Sequence, residues 1–358
     1  GSSGIQAIPQ IAAQAGRLFV LQRSASFSVP ARNRPLAEAE IAGWKSRHRE
    51  IRAEMRRVRS GALLEFNDKA AMDVSEADRR AEYERRWANG GASFLYAFSD
   101  LMRSDEANAT AADFVRAKIA ETVRDPKVAE ALQPAGVPLG AKRICVDTDY
   151  FETFNRANVE LVDLRRRPLE RFEPKGVRLG GELLELDAAV FATGYDAMTG
   201  ALLAMDIRGR GNLSLRDKWK DGPRTYLGLM SAGFPNLFTV TGPGSPSVLG
   251  NVVVSIEQHV DWIADCLARM LGDGAETIEA ERDAEDRWVA HVNELAAPTL
   301  YMKAASWYMG ANVPGKPRVF MPYVGGIGAY RQKCEEVAAN DYDGFRFLPS
   351  SPATVAAE

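Results

Sequence analysis

Apolar and polar positions fall into two regimes along this chain. Near the start, Ile5 to Gly16 is a mixed stretch closed by glycine, which predicts a short helix. Arg17-Leu18-Phe19-Val20-Leu21-Gln22 is an apolar run bounded by polar residues, suited to a buried parallel strand. Glycine turn, helix and strand in that order make the back part of a nucleotide-binding βαβ unit, whose first strand and first glycine would precede residue 1.

From Pro35 to Gly136 the period becomes helical. Ile41, Trp44, Ile51, Met55 and Val58 share one face at spacings of three, seven, four and three, predicting one helix between Pro35 and Gly61. Ser75-Glu76-Ala77-Asp78 resembles a capping box and opens a helix to Trp87 that closes at Gly90-Gly91. A third helix runs from Glu106 to Val123 and stops at Asp125-Pro126. Arg47, Arg49, Arg52, Arg56, Arg57 and Arg59 suggest an anion patch, but Glu50 and Glu54 interleave them, so a solvated helix face accounts for them better.

Strand character returns after Pro138. Val159 to Val162 is a short strand, and Gly176 to Leu179, Gly180-Gly181 and Glu182 to Leu186 read as a hairpin. Asp187 to Gly194 reads as a buried strand ending in a glycine turn. Leu237 to Val240 reads as an apolar strand before the turn Gly242-Pro243-Gly244, and Val252 to Met270 as a long amphipathic helix.

A length of 358 residues suggests two to three domains. A net charge of −3 gives no reason to expect nucleic acid or an acidic membrane surface as partner, and no run approaches the ~20 apolar residues that span a bilayer. Cys145, Cys266 and Cys334 form no CxxC pair, which argues against a disulfide framework or thiol-redox centre and makes a reducing cytoplasm the expected location. His48, His259 and His291 are isolated, so no metal site is expected.

Three constellations carry candidate chemistry. Gly1 and Gly4 have the spacing of the second and third glycines of GxGxxG, where a helix start offers N–H groups to a pyrophosphate, with Ser2 and Ser3 as added donors. Alone the half-motif is weak, and Gly-Ser-Ser-Gly could be an expression scar. About twenty residues on, an acidic residue would bind a ribose 2′-hydroxyl and an arginine a 2′-phosphate. Here Arg23 and Ser24 follow the strand with no carboxylate nearby in sequence, favouring NADP over the alternative of an ordinary loop arginine. Lys142-Arg143 precede the apolar Ile144-Cys145-Val146; a guanidinium there could hold a developing oxyanion, although spacing alone suits a structural ion pair better. Finally, Asp187 is followed by Phe191-Ala192-Thr193-Gly194-Tyr195, a string in which glycine lets backbones approach closely.

This last string resembles that of flavin-containing and N-hydroxylating monooxygenases, and its continuation Asp196-Ala197-Met198-Thr199-Gly200 is closer to the Baeyer–Villiger monooxygenases. Other segments resemble that family in its order: Gly1-Ser2-Ser3-Gly4-Ile5-Gln6, Gln22-Arg23-Ser24 with Val29-Pro30, and Lys142-Arg143 with Tyr150 to Arg156. Gly222 to Gly228, Gly242 to Ser247, Ser255 to Val260 and Ala305 to Lys316 continue the series, so the resemblance covers essentially the whole chain and displaces the scar reading.

The resemblance implies an α/β flavoprotein with two Rossmann-like dinucleotide-binding domains, here incomplete, with a helical insertion. Residues 1–34 and 138–190 would form the NADPH domain, 35–137 the insertion, 191–349 the carboxyl-terminal part of the FAD domain, and 350–358 a disordered tail. FAD and NADP are the implied cofactors, a ketone and O2 the substrates, and the complete protein a monomer. The reaction implied is Baeyer–Villiger oxidation to an ester or lactone through a C4a-peroxyflavin. Gly1 to Gln6 would form the NADPH turn; Arg23, Ser24 and Lys142 would hold the 2′-phosphate. Arg143 would steady the flavin peroxide and tetrahedral adduct, Trp307 would close over the nicotinamide ribose, and Ser247-Val248-Leu249 would line the substrate pocket. Val252 takes a position near the flavin where relatives carry methionine. The family's first GxGxxG for FAD and its FxGxxxHxxxW fingerprint are absent, leaving this segment alone expected to be inactive. A sister enzyme oxygenating amines or thioethers, or a non-catalytic NADPH-binding fragment, are the alternatives.

Overall fold

The structure, a computed structural model, describes residues 1–349, so the expected disordered tail lies outside the described residues. In chain order its elements are α1 (Ser2–Ala12), β1 (Leu18–Gln22), β2 (Ser28–Pro30), α2 (Glu38–Ser46), α3 (His48–Met55), α4 (Glu76–Asn89), α5 (Asp105–Thr122) and α6 (Pro126–Leu132). There follow β3 (Cys145–Asp147), α7 (Tyr150–Thr153), β4 (Val159–Asp163), β5 (Leu169–Glu173), β6 (Gly176–Leu179) and β7 (Glu182–Glu185). The chain continues through α8 (Gly200–Ala204), α9 (Leu215–Lys218), α10 (Val252–Gly272), β8 (Ala275–Ala280), α11 (Arg282–Ala296), α12 (Ile327–Ala339) and β9 (Phe345–Pro349). These divide into two compact units, one of residues 1–35 and 65–195, the other of 36–64 and from Asp196 onward. The stretch read as a single helical insertion therefore contributes to both.

In the first unit β1 pairs in parallel with β4, Val20 opposite Leu161, and β2 pairs in parallel with β3, Val29 opposite Val146. Parallel strands need apolar cover, and α1 supplies it by packing on β1, β3 and α7. Ile5, Val20, Phe27 and Val29 join a core shared with Tyr83, Phe94, Phe98 and Phe114 of the helical segment. The Ser75 hydroxyl accepts from Asp78 N–H at 3.1 Å and donates to the Asp78 carboxylate at 2.7 Å, starting α4 where the sequence places it. The helix stops at Gly90, whose φ of +75° and 2.6 Å approach of a would-be Cβ to the Pro30 carbonyl leave room only for glycine. The hairpin β6–β7 forms as expected and gains β5 as a third antiparallel strand.

The second unit is built around α10, which packs on β8 and α12. Its core holds Trp262, Cys266, Ile278, Trp288, Tyr330, Tyr342 and Phe345. Arg52 reaches Glu257 at 2.6 Å, and Arg56 reaches Glu257 and Asp261 at 3.6 and 3.9 Å. The basic run is thus partly an ion-paired face against α10 rather than wholly solvated. No described helix is long and apolar enough to cross a membrane.

Three expectations about elements fail. The single helix through Ile41 and Val58 is broken at Arg47 into α2 and α3, with Ile41 and Trp44 exposed. The seven-residue gap between Trp44 and Ile51 left that break unmarked in the apolar period. Asp187 to Gly194 forms no strand and is exposed, Phe191 at 68%. Leu237 to Val240 forms turns and irregular chain. An apolar run becomes a strand only when a neighbour satisfies its N–H and C=O groups, and neither run has such a ladder among the described residues.

Candidate functional site

The first unit gathers the expected nucleotide residues around the start of α1. Gly1 is its N-cap and provides no side-chain cap, so the N–H groups of Ser2, Ser3 and Gly4 have no intrahelical acceptor and present the positive end of the helix dipole. Ser2 and Ser3 are exposed, Gln6 is exposed, and Ile5 points into the core, which anchors the turn from below. A Cβ on Gly4 would meet only Ala192 Cβ, at 3.6 Å. Backbone donors without intrahelical acceptors at a glycine-flanked helix start fit a dinucleotide pyrophosphate.

Lys142 and Arg143 lead into β3 beside this turn. Ser2 Oγ lies 3.6 Å from Cys145 Sγ, which is 3.9 Å from the Arg143 carbonyl oxygen, so the helix start and the Lys142-Arg143 segment are neighbours. Arg143 is exposed and Lys142 half-buried. The parallel register pairs Ser28 with Cys145, so Ala25 and Lys142 each precede that pair by three residues. Asp147 is buried within β3, accepts from Ser28 Oγ and Tyr150 N–H, and is pushed above the ordinary carboxylate range by burial. It joins β2, β3 and α7 behind the site.

Arg23 and Ser24 lie exposed at the bend after β1. No carboxylate stands near Arg23 along the chain, but in space β4 brings Asp163 opposite Gln22, the residue before Arg23. No local signal could reveal it, since the register joins residues far apart in sequence.

In the second unit Ser247, Val248 and Leu249 form a short helical turn after Gly242-Pro243-Gly244. That turn is held from several sides: Thr225 Oγ1 donates to Pro243 O, Trp288 Nε1 to Gly244 O at 3.0 Å, and Gly244 N to Met321 O at 2.7 Å. Gly244 has φ +88° with its missing Cβ 2.9 Å from Thr225 Oγ1. Thr241 N–H donates to His259 Nδ1 at 2.9 Å, and His259 Nε2 lies 2.8 Å from the Tyr330 hydroxyl, which itself donates to Leu227 O. His259 is therefore a positioning residue that sequence reading passed over as an isolated histidine.

Val248 and Leu249 pack on the same apolar cluster as Trp307, Tyr308 and Met309, with Phe320 and Val324 at its centre. The structure thus joins the expected pocket loop to the expected nicotinamide loop. Ser247 Oγ lies 3.8 Å from Met198 Sδ. Lys316 Nζ donates to Asp196 Oδ1 at 2.5 Å and Ala197 O at 2.9 Å, tying the far end of the Trp307 loop to the segment after Tyr195. Val252 is the half-buried first residue of α10, behind Asn251, whose side chain caps the helix.

The fit to a flavin is partial. Thr199 Oγ1 and Ser306 Oγ are buried without a hydrogen-bond partner among the described residues and suit a polar ligand edge. The start of α10 is capped by Asn251, and at the start of α12 a Cβ on Gly326 or Gly328 would strike Arg59 or Arg57, so neither is open to a pyrophosphate. Among the described residues no cluster of His, Cys, Asp and Glu could hold a metal ion.

A helix start open to a pyrophosphate, on paired parallel strands, defines a dinucleotide-binding α/β protein. No family model matches the chain. It is 41% identical over 345 residues to a Baeyer–Villiger monooxygenase of Pseudooceanicola batsensis, covering 96% of this chain and 63% of that protein. It is 41% identical over 360 residues to a phenazine N-monooxygenase of Lysobacter antibioticus, covering 100% and 66%. The solved structure of oxidized steroid monooxygenase bound to NADP superposes with a TM-score of 0.92 at 48% identity, covering 98% of this chain and 66% of that one. The chain belongs to the Baeyer–Villiger family of flavin-dependent monooxygenases. It spans slightly less than two thirds of the length of these relatives.

Alanine at Gly1 tests the turn. In the full-length variant the dissociation constant for NADP+ is expected to rise about tenfold or more, as backbone approach to the pyrophosphate is blocked. Unchanged affinity in a calorimetric titration would show that no phosphate approaches Gly1.

Proposed function

We propose that the protein is an NADPH- and FAD-dependent monooxygenase that inserts one oxygen atom of O2 beside a ketone carbonyl, giving an ester or lactone. The observation that carries this reading is the Ser2–Cys145 contact, which sets a dinucleotide-ready helix start next to Lys142 and Arg143. Ser2, Ser3 and Gly4 N–H groups would hold the NADPH pyrophosphate, and Arg23, Ser24 and Lys142 its 2′-phosphate. When bound, the flavin supplies the activation of O2 and the oxygen-atom transfer. Arg143 would then stabilise the negative charge that develops on oxygen as the carbonyl is attacked, a role suited to the planar fork of donors that a guanidinium offers. Val248, Leu249 and Trp307, which pack on one apolar cluster, would exclude water from the ketone.

The test is turnover of cyclic and aryl ketones by the full-length protein under 18O2. One labelled atom in the ester supports the reading; absence of ester with every ketone refutes it. The phenazine N-monooxygenase among the relatives favours nitrogen oxygenation as a second reading, which a labelled N-oxide would support.

The nucleotide assignment makes its own prediction. Arg23→Ala is expected to raise the Michaelis constant for NADPH about tenfold, the loss of one charge-assisted hydrogen bond, and to leave that for NADH nearly unchanged. Equal losses with both nucleotides would rule out a 2′-phosphate contact.

A further inference from the structure

The register of β1 and β4 places a negative charge where an NADP site should not have one. Gln22 pairs with Asp163, and Leu164 N donates to Gln22 O at 2.9 Å, so the chain carrying Asp163 runs alongside the chain about to become Arg23 and Ser24. In dinucleotide-binding folds a carboxylate at this strand end binds a bare ribose 2′-hydroxyl and disfavours a 2′-phosphate. Here the carboxylate comes from the neighbouring strand instead of from β1 itself.

Its charge is already engaged. Arg165 folds back on Asp163 with Nε 3.0 Å from Oδ1 and Nη2 2.8 Å from Oδ2, while its own backbone N–H donates to Oδ1 at 2.9 Å. This fork is the strongest geometry a guanidinium offers a carboxylate. Arg166 Nε stands further off at 3.9 Å. The Asp163 side chain is 15% exposed, whereas Arg165 is 62% exposed and Arg166 84%, so the cations cover the carboxylate from the solvent side. Hydrogen bonding to Arg165 holds the Asp163 carboxyl at about 2, so it stays ionised and its charge must be met by a cation instead of a proton.

We propose that Arg165 is a specificity-determining residue for the nucleotide: its bidentate pair with Asp163 masks the carboxylate that stands opposite Gln22, one residue before Arg23, leaving Arg23 to the 2′-phosphate. Arg165 acts through Asp163 and does not itself touch the phosphate. The proposal rests on the nucleotide reading of Arg23 given above, and the experiment separates the two.

Binding of 2′,5′-ADP and of 5′-AMP is measured by calorimetry at low ionic strength on the full-length protein, with Arg165→Ala, Asp163→Asn and the double variant. Wild type is expected to prefer 2′,5′-ADP. Arg165→Ala should weaken 2′,5′-ADP by about five- to tenfold, the scale of one uncovered charge near the surface, while 5′-AMP changes less than about twofold. Asp163→Asn in the Arg165→Ala background should restore 2′,5′-ADP binding to within about twofold of wild type, because no charge is left to mask. Wild-type affinity for 2′,5′-ADP in Arg165→Ala overturns the proposal. So does a loss that Asp163→Asn fails to rescue, since Arg165 would then be a direct phosphate contact. A wild type that binds both ligands equally removes the nucleotide reading itself, and the masking role with it.

Discussion

Full-length protein carrying Arg143→Ala is expected to form ester at less than about a hundredth of the wild-type rate. Removing one preorganised donor from a developing oxyanion costs about 10²–10³ in rate, and a guanidinium contributes charge as well as hydrogen bonds. Arg143 is exposed at the lead into β3 and its side chain lies outside the buried core, so the substitution should barely change stability. Arg143→Lys keeps the charge without the planar fork and should fall between the two. Product is measured by gas chromatography at saturating NADPH, with NADPH consumption recorded in parallel. Near-normal ester from the alanine variant would remove Arg143 from the chemistry.

A second large effect is expected below neutral pH and arises at His259. Burial pulls its pKa from 6.5 to about 4, against the Thr239 main chain, which favours the cation. Protonation would also place a hydrogen on Nδ1 facing the Thr241 N–H, so the bond that fixes the Gly242-Pro243-Gly244 turn requires the neutral ring. The unfolded chain takes up its proton near 6.5 and the folded one only near 4. Stability from this group is therefore complete above 6.5 and lost progressively as pH falls towards 4, on the order of 3 kcal/mol in all. Urea unfolding at pH 7.5, 5.5 and 4.5 should show wild type losing stability faster than His259→Gln across that window. Parallel pH profiles for the two proteins would show that His259 does not titrate with folding.

What could be read from the sequence was local. The α1 and β1 pair, the Ser75 cap, the β6–β7 hairpin and α10 all announce themselves through period, cap or turn residues. The failures are the runs whose state depends on a distant partner: Asp187 to Gly194 and Leu237 to Val240 have strand-like composition but no ladder. The site divides the same way. Gly1 to Gly4, Arg23 and Lys142-Arg143 stood out because anion chemistry selects glycine and arginine at helix and strand ends. Asp163 beside Gln22, and His259 between Thr241 and Tyr330, are products of register and packing that no window of sequence contains. Trp307 and Ser247 to Leu249 carried no chemical signal of their own; family resemblance alone pointed to them.

The divided membership of residues 36–64 sets a schedule for synthesis. They belong with a unit whose remainder begins at Asp196, so about 130 residues must follow them from the ribosome before their partners exist. At ~5–20 residues per second that wait is on the order of ten seconds, during which Ile51 has no core to enter and Arg52 and Arg56 have no Glu257 to meet. The charge density that looked like an anion patch would then act before folding is complete, holding a waiting segment in solution on the nascent chain.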